Sequence, residues 1–175
     1  MLKTLTLMLV MVALPMVALP MVALPMVAVG DEKPSGDAEG KIKPGPPDSR
    51  EKDKPGKIDA DAPKEFKTTD SGLKYRILRK SDKNKPSAAS EVTVHYKGWL
   101  NNKTIFDSSY RRGEKISFGL NQVIPGWTEG MQLVGVDGMI ELEIPPDLGY
   151  GARGAGRAVP PNATLHFIVE LFEIK

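Results

Sequence analysis

No aromatic residue occurs before Phe66, although the 175-residue chain carries two Trp, four Tyr and five Phe. Large rings supply much of the apolar area that a core buries, and a third of a chain without one rarely builds a core. Folding is therefore predicted to be confined to residues 67–175, long enough for one buried core without staples. Cysteine is absent, which excludes a disulfide framework, thiolate metal sites and thiol chemistry. His95 and His166 are the only histidines, too few for a histidine-built metal centre. The folded zone holds 15 Lys+Arg against 12 Asp+Glu, a balance that does not argue for nucleic acid.

Residues 1–30 open with Lys3, run without charge to Asp31 and end in small residues. That order describes a secretory signal peptide, cleaved after Ala28 or Gly30. The rival reading is a retained membrane anchor, because the apolar run is long enough to span a bilayer. MVALP occurs three times, at 11–15, 16–20 and 21–25, and Pro15, Pro20 and Pro25 each remove a helix donor. The expected destination is outside the cytoplasm, periplasmic or secreted in a bacterium, with membrane contact only through an uncleaved N-terminus. Residues 31–66 hold eight Lys+Arg, ten Asp+Glu and six Pro, with no apolar period. Such a segment does not offset the entropy of ordering it and reads as a disordered tether, which predicts a monomer.

The remaining chain changes character. Leu73, Tyr75 and Ile77 alternate with polar residues, as do Val92, Val94 and Tyr96, then Ile140, Leu142 and Ile144, then Leu165, Phe167, Val169 and Leu171. Each run predicts a half-buried strand. Thr104–Phe106 and Lys115–Phe118 are shorter strand candidates around the polar turn DSSYRRGE. One short helix is predicted over 125–134: Pro125 opens it, and Trp127, Met131 and Val134 share a face. The fold class is α+β, an antiparallel sheet wrapped around one short helix, and its concave face is a natural pocket.

The catalytic inventory is thin. His95 lies between Val94 and Tyr96 and points to the opposite face, beside Thr93 and Lys97. His95, Asp107 and Ser108 can be drawn as a triad, but no G-x-S-x-G elbow is present. His166 reads as a surface residue, and Glu141 and Glu143 as a solvated face. The run Gly149–Gly156 lacks the strand–glycine–helix context and the lysine of a phosphate loop, and reads as a flexible loop. What remains is aromatic: Tyr96, Phe106, Phe118, Trp127, Tyr150 and Phe167.

The segments VTVHYKGWL, IFDSS, NQVIPGW, GYGARGAG and VPPNATLHFIVEL occur in this order. Together they closely resemble the FKBP-type peptidyl-prolyl cis–trans isomerases, especially the short bacterial ones, over roughly Gly72–Lys175. The resemblance implies a twisted antiparallel sheet curled around a short helix. It implies that Trp127 floors a pocket walled by Tyr96, Phe106 and Phe167, with Phe118 behind them and Val159 at the rim. Val123 and Ile124 match the apolar pair before the helix, and the Ile124 amide a donor to a substrate carbonyl. Asp107 matches the acidic residue beside the pocket, and Tyr150 the tyrosine whose hydroxyl reaches the ligand. Ile116 stands where the family often has an aromatic ring, and Ala155 at the tip of the glycine-rich loop.

The implied activity is prolyl isomerisation in proline-containing polypeptides, with Tyr96, Asp107, Ile124 and Tyr150 as the active groups and no cofactor or metal. Macrolides of the tacrolimus and rapamycin class are the implied inhibitors. The alternative is a non-catalytic binding or chaperone module of the same fold. Rotation needs no nucleophile, acid or base, which suits a chain with so few of them.

Overall fold

The computed structural model describes residues 42–175, which lie within one compact unit; the signal or anchor segment and the start of the tether fall outside the described residues. The strands are β1 (Lys67–Thr68), β2 (Lys74–Arg79), β3 (Glu91–Leu100), β4 (Ile105–Ser108), β5 (Ile116–Gly119), β6 (Met139–Ile144) and β7 (Leu165–Ile174). The helices are α1 (Ser109–Arg112) and α2 (Pro125–Met131). All described pairings are antiparallel, in the order β1-β2-β6-β7-β3-β4, with β5 also on β3. The α+β class and its sheet around a short helix are as expected.

The period-2 pattern sorts the side chains. Val92, Val94 and Tyr96 of β3, Ile140, Leu142 and Ile144 of β6, and Leu165, Phe167, Val169 and Leu171 of β7 are buried in one cluster with Trp127 and Met131 of α2. Pro125 pre-sets the first turn of α2, where its missing N–H costs nothing. The helix comes close to the sheet because a Cβ on Gly130 would sit 2.7 Å from Leu142 Cδ2, and one on Gly126 2.6 Å from Ile144 Cγ2. The helix ends at Met131, short of the predicted 134; Val134 is buried in the following turn.

The turn DSSYRRGE contains a further one-turn helix. Ser108 caps α1 by accepting from the Arg111 N–H, and Gly113 closes it at φ 75° in the left-handed region. Four residues carry too little periodicity to announce a helix.

The largest departure from expectation lies on the other face of the sheet. Residues 42–66 were expected to be a free tether, yet this stretch lies along that face. Ile42 and Ile58 pack on Leu78, Trp99, Met139 and Ile168. Glu51 pairs with Lys97 at 2.8 Å, and Asp53 with His95 at 3.2 Å. The Gly56 N–H donates to Glu170 at 2.9 Å, and the Asp59 N–H to the Leu78 carbonyl at 2.9 Å. His95, Lys97 and Glu170 do point away from the core, but they are buried under this cover. The charges that made the segment look like tether are the partners of the sheet's buried charges. The same segment that buries Lys97 and Glu170 also supplies partners for both, which keeps the cost of burying them tolerable.

Two other polar readings change in the same way. Glu141 is buried rather than solvated, held by Arg76 at 2.6 Å, while burial pushes its carboxyl above the ordinary range. His166 is half-buried, stacked on Trp99 with ring centroids 5.8 Å apart and bonded to Asn101. Desolvation lowers its pKa.

Candidate active site

The concave face gathers five rings. Trp127 of α2 meets Tyr96 at 5.3 Å, Phe167 at 5.3 Å and Phe118 at 5.7 Å between centroids, each within a few degrees of perpendicular. Phe106 meets Phe167 edge-on at 5.5 Å, and Tyr96 stands 5.9 Å from Phe118. Edge-to-face contact sets positive ring edges on negative faces and fixes the rings against one another. Trp127 is 4% exposed, so it closes the base of this set, while Phe106 and Phe118 are half-buried. Gly98 admits the rings: a Cβ there would lie 2.6 Å from Phe167 Cε1 and 2.7 Å from Phe106 Cζ.

Val123, Ile124, Ile116 and Tyr150 are half-buried and pack against the same cluster, and Val159 is buried within it. Ile124 is the N-cap of α2 and turns its carbonyl to the Trp127 and Thr128 N–H groups. Its own N–H meets no acceptor among the described residues, nor does the Tyr150 hydroxyl make a hydrogen bond there. Ala155 sits at the base of a small hairpin rather than its tip, bridged to Val159.

Asp107 supplies the polar wall. It accepts from the Tyr96 hydroxyl, from Arg112 Nη1 at 2.6 Å and from the Ser108 N–H at 2.8 Å. Arg112 Nη2 also donates to the Tyr96 hydroxyl at 3.1 Å. Sequence reading overlooked Arg112. Its only signal is its place five residues after Asp107, which means little until α1 is seen to fold it back.

The triad drawn from sequence does not assemble. Asp107 is committed to Tyr96 and Arg112, whereas His95 Nδ1 lies 2.8 Å from Ser109 Oγ and Nε2 faces Asp53. Ser108, the serine of that triad, is buried, and its Oγ caps α1 by accepting the Arg111 N–H; the serine beside His95 is Ser109, whose hydroxyl accepts from the Tyr96 N–H and donates to the Tyr96 carbonyl. A separate groove of about 340 Å³, bordered by Pro63, Tyr75, Ile77, Lys80 and Leu133, shares no residue with the ring set.

Burial, then the charge of Asp107, pushes the Tyr96 hydroxyl far above its ordinary value, and Arg112 offsets only part of this. Burial and Glu170 do the same to Tyr110, whose hydroxyl donates to Glu170 at 2.6 Å. Burial also raises Tyr150. Groups raised on folding contribute stability that is complete below the unfolded value of 10.0 and is lost as pH rises through the folded values. The melting temperature is therefore expected to stay level to about pH 10 and then to fall. A melting temperature unchanged to about pH 12 would mean that folding raises neither hydroxyl.

A sequence model of a family described as FKBP-type peptidyl-prolyl cis-trans isomerase matches residues 82–172. A probable FKBP-type peptidyl-prolyl cis-trans isomerase of Haemophilus influenzae is 49% identical over 111 residues, 63% of this chain and 46% of that protein. The FK506-binding protein 1 of Dictyostelium discoideum is 49% identical over 106 residues, 59% of this chain and 99% of that protein. The crystal structure of FkpA from Escherichia coli superposes with a TM-score of 0.62 at 44% identity, covering 65% of this chain and 53% of that one. Several curated relatives are about twice the length that the chain matches, with coverages of 46%, 52% and 43%.

Proposed function

The chain belongs to the FKBP-type peptidyl-prolyl cis–trans isomerase family, and from that premise we propose that it accelerates X–Pro rotation in polypeptides exported from the cytoplasm. One observation carries the reading. Five mutually perpendicular or tilted rings pack as one apolar set, with Asp107 bonded to the Tyr96 hydroxyl beside it. The sequence of residues 1–30 supports export.

Uncatalysed rotation crosses a barrier of ~18–20 kcal/mol because the planar amide is resonance-stabilised. At the perpendicular transition state resonance is lost and charge separation falls, so removal from water favours it over the planar ground state. Trp127, Tyr96, Phe106 and Phe167 supply that apolar surface. The Ile124 N–H, without an acceptor among the described residues, would hold a substrate carbonyl, and the Tyr150 hydroxyl a second one, each contributing on the order of 1 kcal/mol. Asp107 is engaged on three sides and holds the wall rather than transferring a proton.

The test is a protease-coupled assay of the full chain on an X–Pro peptide. Acceleration is expected, and tacrolimus should abolish it by filling the recess; the name of the Dictyostelium relative supports that ligand class. Peptide binding without acceleration would establish the binding-module alternative instead. Acceleration that persists at saturating tacrolimus would place the active site elsewhere.

Tyr150→Phe is the clean probe of mechanism, because its hydroxyl has no hydrogen-bond partner to strand among the described residues. It should leave the melting temperature unchanged and lower kcat/KM about two- to tenfold, the scale of one neutral hydrogen bond at ~1 kcal/mol. A loss near 10⁴-fold, about what general acid–base catalysis supplies, would sink the desolvation mechanism.

A further inference from the structure

Helix α1 is a single turn, and a single turn has almost no stability of its own. Yet it carries Arg112 and follows directly on Asp107, so it sets the polar wall of the recess. Its two caps secure only its ends. Ser109 bonds the Tyr96 backbone and the Tyr110 hydroxyl bonds Glu170, which tie the start of the turn to the sheet; residues 46–56 hold its backbone and Arg111 from outside. Asp48 accepts from Arg111 Nε, beside Arg112, and the side chain of Asp48 is only 4% exposed. The N–H groups of Lys52 and Asp53 both donate to the Tyr110 carbonyl, at 3.0 and 3.1 Å. Asp53 faces His95, whose other nitrogen bonds Ser109 in the first position of α1. Pro46 and Glu51 both take Lys97, which lies next to Tyr96 on β3.

We propose that residues 46–56 form an intramolecular strap that clamps α1, with Asp48 as a positioning residue that keeps Arg112 and Asp107 in register with Tyr96. The strap lies on the face of the sheet opposite the recess and acts on the recess only through α1. Hydrogen bonds support the same geometry from both directions: Asp48 is also fixed by Arg50, through the Arg50 N–H at 3.1 Å and Nε at 3.2 Å. Against the cost of burial, Arg111 and Arg50 hold the Asp48 carboxyl below the ordinary range, so it stays ionised wherever the strap is in place.

For its activity readout the inference rests on the isomerase reading, so the experiment carries a second readout that does not. Wild type, Asp48→Ala, Asp107→Ala and the double variant are made in the full chain. Each is assayed for kcat and KM on an X–Pro peptide below its own melting temperature. Asp48→Ala is expected to lower kcat/KM about three- to tenfold, the scale of one ordinary hydrogen bond, because Asp48 acts on the wall only through α1. In the Asp107→Ala background the same substitution should change it less than about twofold, because the wall it positions is already gone. Hydrogen exchange at the Gly113 amide, which closes α1 on the Ser109 carbonyl, should quicken about tenfold in Asp48→Ala. Asp48→Glu should restore much of both.

Equal losses in the two backgrounds would reduce Asp48 to general stability and overturn the proposal, as would unaltered exchange at Gly113. Should Asp48→Ala fail to fold, Asp48→Asn keeps an acceptor for Arg111, removes the charge and carries the same cycle. A wild-type chain that fails to accelerate the peptide refutes the isomerase reading. Exchange at Gly113 then decides the strap by itself.

Discussion

Trp127→Ala is expected to produce the largest loss of stability of any single substitution at the recess. Trp127 is 4% exposed and touches three rings at centroid distances of 5.3, 5.3 and 5.7 Å. Truncating such a ring costs ~3–5 kcal/mol through lost transfer energy and the cavity left behind. Set against a total of ~5–15 kcal/mol for a domain, this brings the fold close to its limit. Loss of turnover in this variant is therefore no proof of a catalytic role. Trp127→Phe separates the two effects, since it keeps most of the ring and a smaller cavity follows. Chemical denaturation of both variants, with kcat/KM measured where each is fully folded, is the check. A Trp127→Ala variant as stable as wild type would mean that the ring does not floor the recess.

Removing residues 1–66 is expected to do more damage than the composition of that stretch suggests. The cut uncovers Leu78, Trp99, Met139 and Ile168 together, a contiguous apolar face. It also removes Ile42 and Ile58, which are half-buried and so contribute only part of the ~1.5–3 kcal/mol of a fully buried side chain, offset further by the entropy of ordering the segment. A net loss near 2 kcal/mol lowers the melting temperature by about 8–16 °C in a domain of this size. The trimmed protein should also self-associate through the uncovered patch. The ion pairs contribute less to this loss, because the cut returns both partners to water. A point change behaves otherwise: Glu51→Ala leaves Lys97, 2% exposed, under the cover with only the Pro46 carbonyl, and loss of one partner from a buried pair costs ~3–5 kcal/mol. One substitution is thus expected to match or exceed the deletion. Calorimetry and light scattering on both proteins decide it. A trimmed domain that melts with the full chain and stays monodisperse would restore the free-tether reading.

Periodicity made the concave face legible. Val92, Val94, Tyr96, Leu142, Phe167 and Val169 fell on one side in the sequence and do so in the structure, because the pleat enforces period 2. The ring set was legible through the family resemblance rather than through period 2 alone, since Trp99 of β3 and Phe172 of β7 turn to the other face. The opposite face was not. His95, Lys97, Glu141 and Glu170 look like solvent residues until their partners are known. Those partners, Asp53 and Glu51 among them, lie in a segment with no apolar period of its own. Local pattern reports a segment's capacity to fold alone; it is silent on a segment that folds by completing another. Arg112 escaped for the related reason that its meaning depends on a helix one turn long.

The covering segment also changes what the sheet offers to other chains. Beyond the two residues of β1, the outer side of β2 would expose backbone donors and acceptors. The Asp59 N–H takes the Leu78 carbonyl, and the Asp59 carboxylate takes the Lys80 N–H at 2.8 Å. That edge is thereby broken into pieces too short to template a new strand. An isomerase acting as proposed would meet extended backbone continually, and an open edge would bind it without regard to sequence. With the edge interrupted, such a chain would be left to the ring set, where side chains rather than main chain would decide whether it stays.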